Sequence, residues 1–125
     1  MPDLPQLRDA IAAATETLRS LSSLESQMAR AADVIDQCLR VGSKLLVCGN
    51  GGSAADASHF ATELVVCFTK DRRALPAICL VSDSGILTAA GNDYGFDEVF
   101  ARQVAAFGIA GDVLICLTTS GNRRI

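Results

Sequence analysis

The sequence predicts an α/β fold built on a parallel sheet, and three observations lead to it. Three short apolar runs, at residues 44–48, 77–81 and 112–117, are β-compatible and apolar on both faces, as strands covered on both sides require. Helix-forming segments separate them, so successive strands are joined by crossovers and lie parallel. Each run ends in a polar turn, at residues 49–53, 82–84 and 118–122. Ligands of open parallel sheets bind outside the carboxyl ends of the strands, so a site is expected where these turns converge.

The elements follow in order. Over residues 4–24, Leu7, Ile11, Ala14, Leu18 and Leu21 recur at helical spacing, with Arg8, Asp9, Glu16 and Arg19 elsewhere, which predicts an amphipathic helix. Ser22 and Ser23 mark a break. A second helix, about 25–41, sets Met28, Ala31, Ala32, Ile35 and Leu39 on one face, and Gly42 suits the position after its end. These two helices either cover the sheet or pair with another subunit. The first strand runs into Gly49, Asn50, Gly51 and Gly52, where backbone N–H groups can converge, and Ser53 is the expected N-cap of a helix reaching about residue 67. A strand feeding a glycine turn onto a helix N-terminus suits an anion or a polyhydroxylated ligand.

Residues 69–73 read as a solvated charged loop. Pro76 opens the second strand, 77–81. A turn at 82–85, a short helical piece at 86–90 and a turn-rich loop at 91–95 come next. A helix over 96–107 is expected to turn Val99, Phe100, Val104 and Phe107 inward before the third strand, 112–117.

Length and composition narrow the function. The chain has 125 residues, which fits one domain, and its 50% hydrophobic and 20% charged content is that of a globular protein. A net charge of −3 gives no reason to expect nucleic-acid or membrane-surface binding, and no apolar run is long enough to span a membrane. Met1, Pro2, Asp3 and Leu4 lack the basic and apolar regions of a secretory signal. The five cysteines, at 38, 48, 67, 79 and 116, form no CxxC pair and read as small reduced core residues of a cytoplasmic protein.

Two features need separating from better-known relatives. The glycine turn lacks the Gly-Lys-Ser/Thr of a nucleotide P-loop. It matches the loose dinucleotide fingerprint through Gly49, Gly51 and Ala54, but no acidic residue stands at the end of the second strand: Asp71 precedes that strand and Asp83 comes too late. His59, the one histidine, and Glu63 are four residues apart and share a helix face. Spacing alone leaves three readings open: half of a metal site, a general base at Glu63, or a hydrogen-bonded surface pair. Further zinc ligands would have to be Asp, Glu, Gln, Cys or another chain.

Taken together, the motifs become specific. Residues 49–57, His59 with Glu63, the run Gly91, Asn92, Asp93, Tyr94, Gly95 and Phe96, the runs 99–104 and 111–114, and Thr119, Ser120, Gly121 and Asn122 resemble the sugar isomerase (SIS) domain. Within it they are most similar to the phosphoheptose isomerases, which convert sedoheptulose 7-phosphate to D-glycero-D-manno-heptose 7-phosphate. The resemblance implies a three-layer α/β/α fold around a five-stranded parallel sheet. Residues 1–42 would form an N-terminal helical hairpin that makes oligomer contacts, and residues 43–125 a partial SIS domain with the last strands missing. It also implies a homotetramer with active sites at subunit interfaces. Thr118, Thr119 and Ser120 would hold the phosphate of a phosphorylated sugar, and Asn50, Gly51, Gly52, Ser53 and Asp93 would contact the sugar. Glu63 would be the base moving a proton between C1 and C2 through an enediol, and His59 and Glu63 two of the ligands of a zinc ion.

The sequence also departs from the pattern. Cys67 stands where an active-site-side arginine is usual, and Arg123 where a serine usually meets the phosphate. The family's further strands and terminal helix supply a Gln and a His that complete the zinc site, the His also serving as partner acid/base. The resemblance therefore implies a C-terminally truncated or decayed copy, weakly active by itself and prone to associate through uncovered strand edges. The other reading is a non-catalytic SIS module that binds a phosphosugar or a protein partner such as a replication initiator.

Overall fold

The computed structural model describes residues 4–121, and the chain divides into two units, one up to Val34 and one from Ile35 onward. In the first, helix α1 (Pro5–Ser20) starts on a proline, which suits a position whose N–H has no intrahelical partner. It runs through a 3-10 turn (Leu21–Leu24) into helix α2 (Glu25–Arg40). The expected break at Ser22 and Ser23 is a tightening. The backbone stays right-handed helical at Ser20, Leu21 and Glu25, in place of a hairpin turn. The cause is local, because the hydroxyls of Ser20, Ser22 and Ser23 donate to the carbonyls of Thr17, Arg19 and Ser20 at 2.7, 2.9 and 2.7 Å. Leu7, Ile11, Leu18 and Met28 of this unit's apolar stripe are each more than half exposed.

The second unit is built on a parallel sheet of three strands, β1 (Leu45–Gly49), β2 (Ala77–Cys79) and β3 (Val113–Leu117), in the order β2-β1-β3. Helix α3 (Gly52–Val65) links β1 to β2. Helix α4 (Ser84–Asp93), a 3-10 turn (Phe96–Glu98) and helix α5 (Ala101–Phe107) link β2 to β3. The first link steps to one side of β1 and the second steps back across it, so crossovers of a single hand place their helices on opposite faces. The cores agree. Leu45 and Val47 pack with Cys38, Leu39 and Ala57 of α2 and α3, while Leu46 and Cys48 pack with Leu80, Ala90, Val99 and Phe100. Every residue of β1 is buried.

The outer strands differ from expectation. β2 and β3 alternate in burial, leaving Ile78, Leu114 and Cys116 exposed, so only the central strand is covered on both faces. β2 also ends at Cys79. Leu80 N still donates to Val47 O at 2.8 Å, but its side chain then turns into the core at 1% exposure. The loop expected at 91–95 is helical through Asp93, because Asp83 caps α4 by accepting from Ile86 N at 3.0 Å and lets it run on. The single helix expected over 96–107 is interrupted where Val99 and Phe100 enter the core, and Phe107 is 39% exposed instead of inward.

Burial pushes the Cys48 thiol up to about 12, and the Cys116 sulfur 3.6 Å away adds to the effect. Cys48 is therefore an unreactive core thiol, as the composition suggested.

One ion pair fastens β3 to the start of β1. Asp112, 5% exposed, accepts from Lys44 Nζ at 2.6 Å, Lys44 N at 2.9 Å and Ile109 N at 2.8 Å. The side-chain hydrogen bond from Lys44 and then the backbone bonds hold the Asp112 carboxyl down from 3.8 to about 2. A carboxyl lowered by folding stabilises fully above its unfolded value and loses that contribution as pH falls through the folded one. Asp112→Asn is thus expected to melt earlier than the parent at neutral pH. The gap should close between pH 3.8 and about 2, as read by circular dichroism; a constant gap across that window would contradict the pairing.

Candidate functional site

The first candidate cleft lies at the carboxyl ends of β1 and β3, the neighbouring strands whose following turns meet. It has a volume of about 250 Å³ and is lined by Asn50, Gly51, Gly52, Ser53, Leu117, Thr118 and Thr119, none of them charged. Its floor depends on Gly49. A Cβ there would lie 2.6 Å from Ser53 O and 2.9 Å from Ser53 Cβ, so only glycine lets β1 end directly beneath the first turn of α3. That approach changes the expected cap. Gly51, at φ +59°, is the N-cap, no side chain caps the helix, and Ser53 sits buried in the first turn with its N–H bonded to Asn50 O at 3.1 Å. Opposite, Thr118 Oγ1 accepts from Gly121 N at 3.2 Å and closes the loop into a turn. Thr119 lines the cleft and Ser120 lies outside its lining. Asn122 lies outside the described residues.

His59 and Glu63 are elsewhere. Glu63 follows Ser53 by ten residues on one helix, which is about 15 Å along the axis. The two side chains meet as the face-sharing spacing requires, with His59 Nε2 2.9 Å from Glu63 Oε1. An ionised carboxylate only accepts, so Nε2 is the donor. The pair lines a second cleft of about 430 Å³ with Asp56, Phe60, Leu64, Phe68 and Arg72. It is apolar apart from these few polar groups, and Glu63 is the better covered partner, at 30% exposure against 72% for His59.

Asp93 lies in a third place, at the end of α4. Its Oδ1 accepts from Asn92 Nδ2 at 2.7 Å, and the cleft it lines, about 280 Å³, includes Tyr94, Arg102 and Gln103. The Arg102 guanidinium sits 3.7 Å from the centre of the Tyr94 ring. Within one chain the structure thus unites Asn50, Gly51, Gly52, Ser53, Thr118 and Thr119, unites His59 with Glu63, and keeps Asp93 apart from both. Sequence reasoning missed Arg72, set aside with the charge run at 69–73.

Zinc takes at least three protein ligands. His59 and Glu63 offer one nitrogen and one carboxylate. Among the described residues no group of three or more His, Cys, Asp and Glu could hold an ion. These residues supply a pair and not a complete site, so no step below passes through a metal. No helix among the described residues is long and apolar enough to cross a membrane.

Comparison with known proteins supplies the family. The SIS domain profile matches residues 10–125. A phosphoheptose isomerase of Geobacter sp. (strain M21) is 49% identical over 120 residues, covering 95% of this chain and 62% of that protein. A phosphoheptose isomerase of Campylobacter jejuni is 54% identical over 98 residues, covering 78% of this chain and 53% of its own length. The solved phosphoheptose isomerase of Francisella tularensis superposes with a TM-score of 0.89 at 40% identity, over 97% of this chain and 64% of that one. The Neisseria gonorrhoeae structure gives 0.78 at 46% identity, over 93% and 62%. The chain therefore spans about half to two-thirds of the length of the relatives it matches.

Proposed function

The chain belongs to the SIS domain family, and from that premise we propose that it serves the aldose–ketose isomerisation of a phosphorylated heptose, sedoheptulose 7-phosphate to D-glycero-D-manno-heptose 7-phosphate. The observation that bears most weight is the uncharged cleft where the ends of β1 and β3 meet. Hydroxyls and backbone amides without a carboxylate suit phosphate oxygens, and a helix N-terminus adds a favourable dipole. In this reading Thr118, Thr119 and Ser120 take the phosphate, while Asn50, Gly51, Gly52, Ser53 and Asp93 meet the sugar.

The reacting carbons are at the far end of a heptose from its phosphate, so the base need not adjoin the anion site. Glu63 removes one of the two C1 protons of the ketose, electrons shift to give the enediol, and a proton delivered to C2 by the Glu63 carboxyl, which exchanges with solvent, yields the aldose with transfer between O1 and O2. Atoms and charge balance with no oxidant. His59, by donating to Glu63, fixes the carboxylate's orientation. The separation of the three clefts supports the family arrangement in which copies of the chain, as a homotetramer, complete one another's sites. If a zinc ion bound, His59 and Glu63 would supply two of its ligands in place of the hydrogen bond between them.

Thr119→Val tests the anion site. It removes one hydroxyl and keeps the shape. It is expected to weaken binding of sedoheptulose 7-phosphate by about 1.5–3 kcal/mol, roughly ten- to a hundredfold in Kd by titration calorimetry. An unchanged Kd would remove the phosphate from this cleft.

A further inference from the structure

Helix α3 ends in an unusual way. Its C-cap, Val66, has φ −92° and ψ −89°, no glycine follows in a left-handed conformation, and no basic residue stands in its last turn. A helix ending so leaves its final carbonyls needing partners. Val66 N takes Thr62 O at 2.9 Å and Leu75 N takes Leu64 O at 3.1 Å. Glu63 O, and a share of Leu64 O, fall to Arg72, seven residues beyond the helix on the loop to β2. Its Nη2 donates to Glu63 O at 2.6 Å, and its Nη1 donates to Leu64 O at 2.8 Å and Arg73 O at 2.9 Å. The residue whose carboxylate faces His59 thus has its own carbonyl held by a guanidinium, and that guanidinium lines the same cleft as the pair.

We propose that Arg72 is a positioning residue for Glu63. The planar fork closes the last turn of α3 and sets the rotation of Glu63 about the helix axis, so that its carboxylate meets His59. A positive charge at a helix C-terminus is also favourable. Lysine would keep the charge and lose the fork, because one ammonium cannot match two carbonyls in the fixed geometry of a guanidinium. Arg72 acts through Glu63 and is assigned no contact with substrate. Its consequence for catalysis rests on the reading of Glu63 as base; its effect on geometry does not.

The single histidine makes this testable in the chain as it stands. Nuclear Overhauser cross-peaks between the His59 ring and the Glu63 γ-methylene report the pair directly. In Arg72→Lys and Arg72→Gln they are expected to fall severalfold while far-UV circular dichroism is retained, and lysine is expected not to rescue them. Exchange of the C1 proton of sedoheptulose 7-phosphate with solvent should slow by about ten- to a hundredfold with its Kd unchanged. Parent-like cross-peaks in either folded variant would overturn the proposal, whatever the exchange rate does. Absence of exchange in the parent chain, with the cross-peaks behaving as expected, would overturn the isomerase reading and leave the positioning of Glu63 standing.

Discussion

Gly49→Ala is expected to lower the melting temperature by roughly 5–15 °C and to abolish sugar-phosphate binding. The added methyl would lie 2.6 Å from Ser53 O, 2.8 Å from Ser53 C and 2.9 Å from Ser53 Cβ. Two of these atoms are backbone, so no flexible side chain can swing away. Relief requires α3 to slide off the end of β1, a strand in which every residue is buried. Overpacking of this kind costs about 1–3 kcal/mol, and each kcal/mol moves a domain of this size by about 4–5 °C. The slide would also open the wall formed by residues 50–53. Gly52→Ala is the control: its Cβ meets nothing within 4 Å, and at a helical position alanine is favoured over glycine by about 1 kcal/mol. A thermal melt by circular dichroism reads both. Parent-like melting of Gly49→Ala would mean that the close approach does not exist in solution.

Glu63→Gln is expected to reduce isomerisation by about a hundred- to ten-thousandfold, the usual worth of a general base, with sugar-phosphate Kd little changed. Glutamine keeps the length and a hydrogen-bonding oxygen toward His59 but cannot take a proton. The residue sits one turn beyond His59, away from the cleft at the strand ends, so the variant should leave Asn50, Ser53, Thr118 and Thr119 undisturbed. Coupled loss of Kd and turnover would instead make Glu63 part of the binding surface.

Much of the fold was legible because the strands are short, apolar and bounded by strong turn formers. Leu45, Leu46, Val47 and Cys48 read as a strand covered on both faces, and they are the most deeply buried run in the second unit. Cover by neighbours was not legible. Leu114 reads like Leu46 but is 45% exposed, since the cluster over its face gathers on Leu46 and Cys48 of β1 and takes in no residue of β3, whose Val113, Ile115 and Leu117 are covered on the opposite face. The extent of α4 was hidden for a different reason. Gly91, Asn92 and Asp93 are turn formers in isolation, and a cap eight residues earlier, at Asp83, overrode them.

The site was legible in parts. The motif from Gly49 to Glu63 looked like one functional stretch, yet an α-helix carries Glu63 about 15 Å from Ser53. Spacing of four told that His59 and Glu63 would meet, and they do, at 2.9 Å. Arg72 was invisible because its partners are main-chain carbonyls, which leave no trace in side-chain patterning.

The central claim is that Glu63 moves a proton at C1 of a sugar phosphate held by this chain. Incubation of sedoheptulose 7-phosphate in deuterium oxide tests it most directly, because exchange at C1 asks only for binding and a base. Proton NMR should show loss of one of the two C1 proton signals with the parent chain and at least a hundredfold slower loss with Glu63→Gln. Exchange at the parent rate in Glu63→Gln, or tight binding with no exchange in the parent, would contradict the account, and the latter would favour a non-catalytic phosphosugar-binding module.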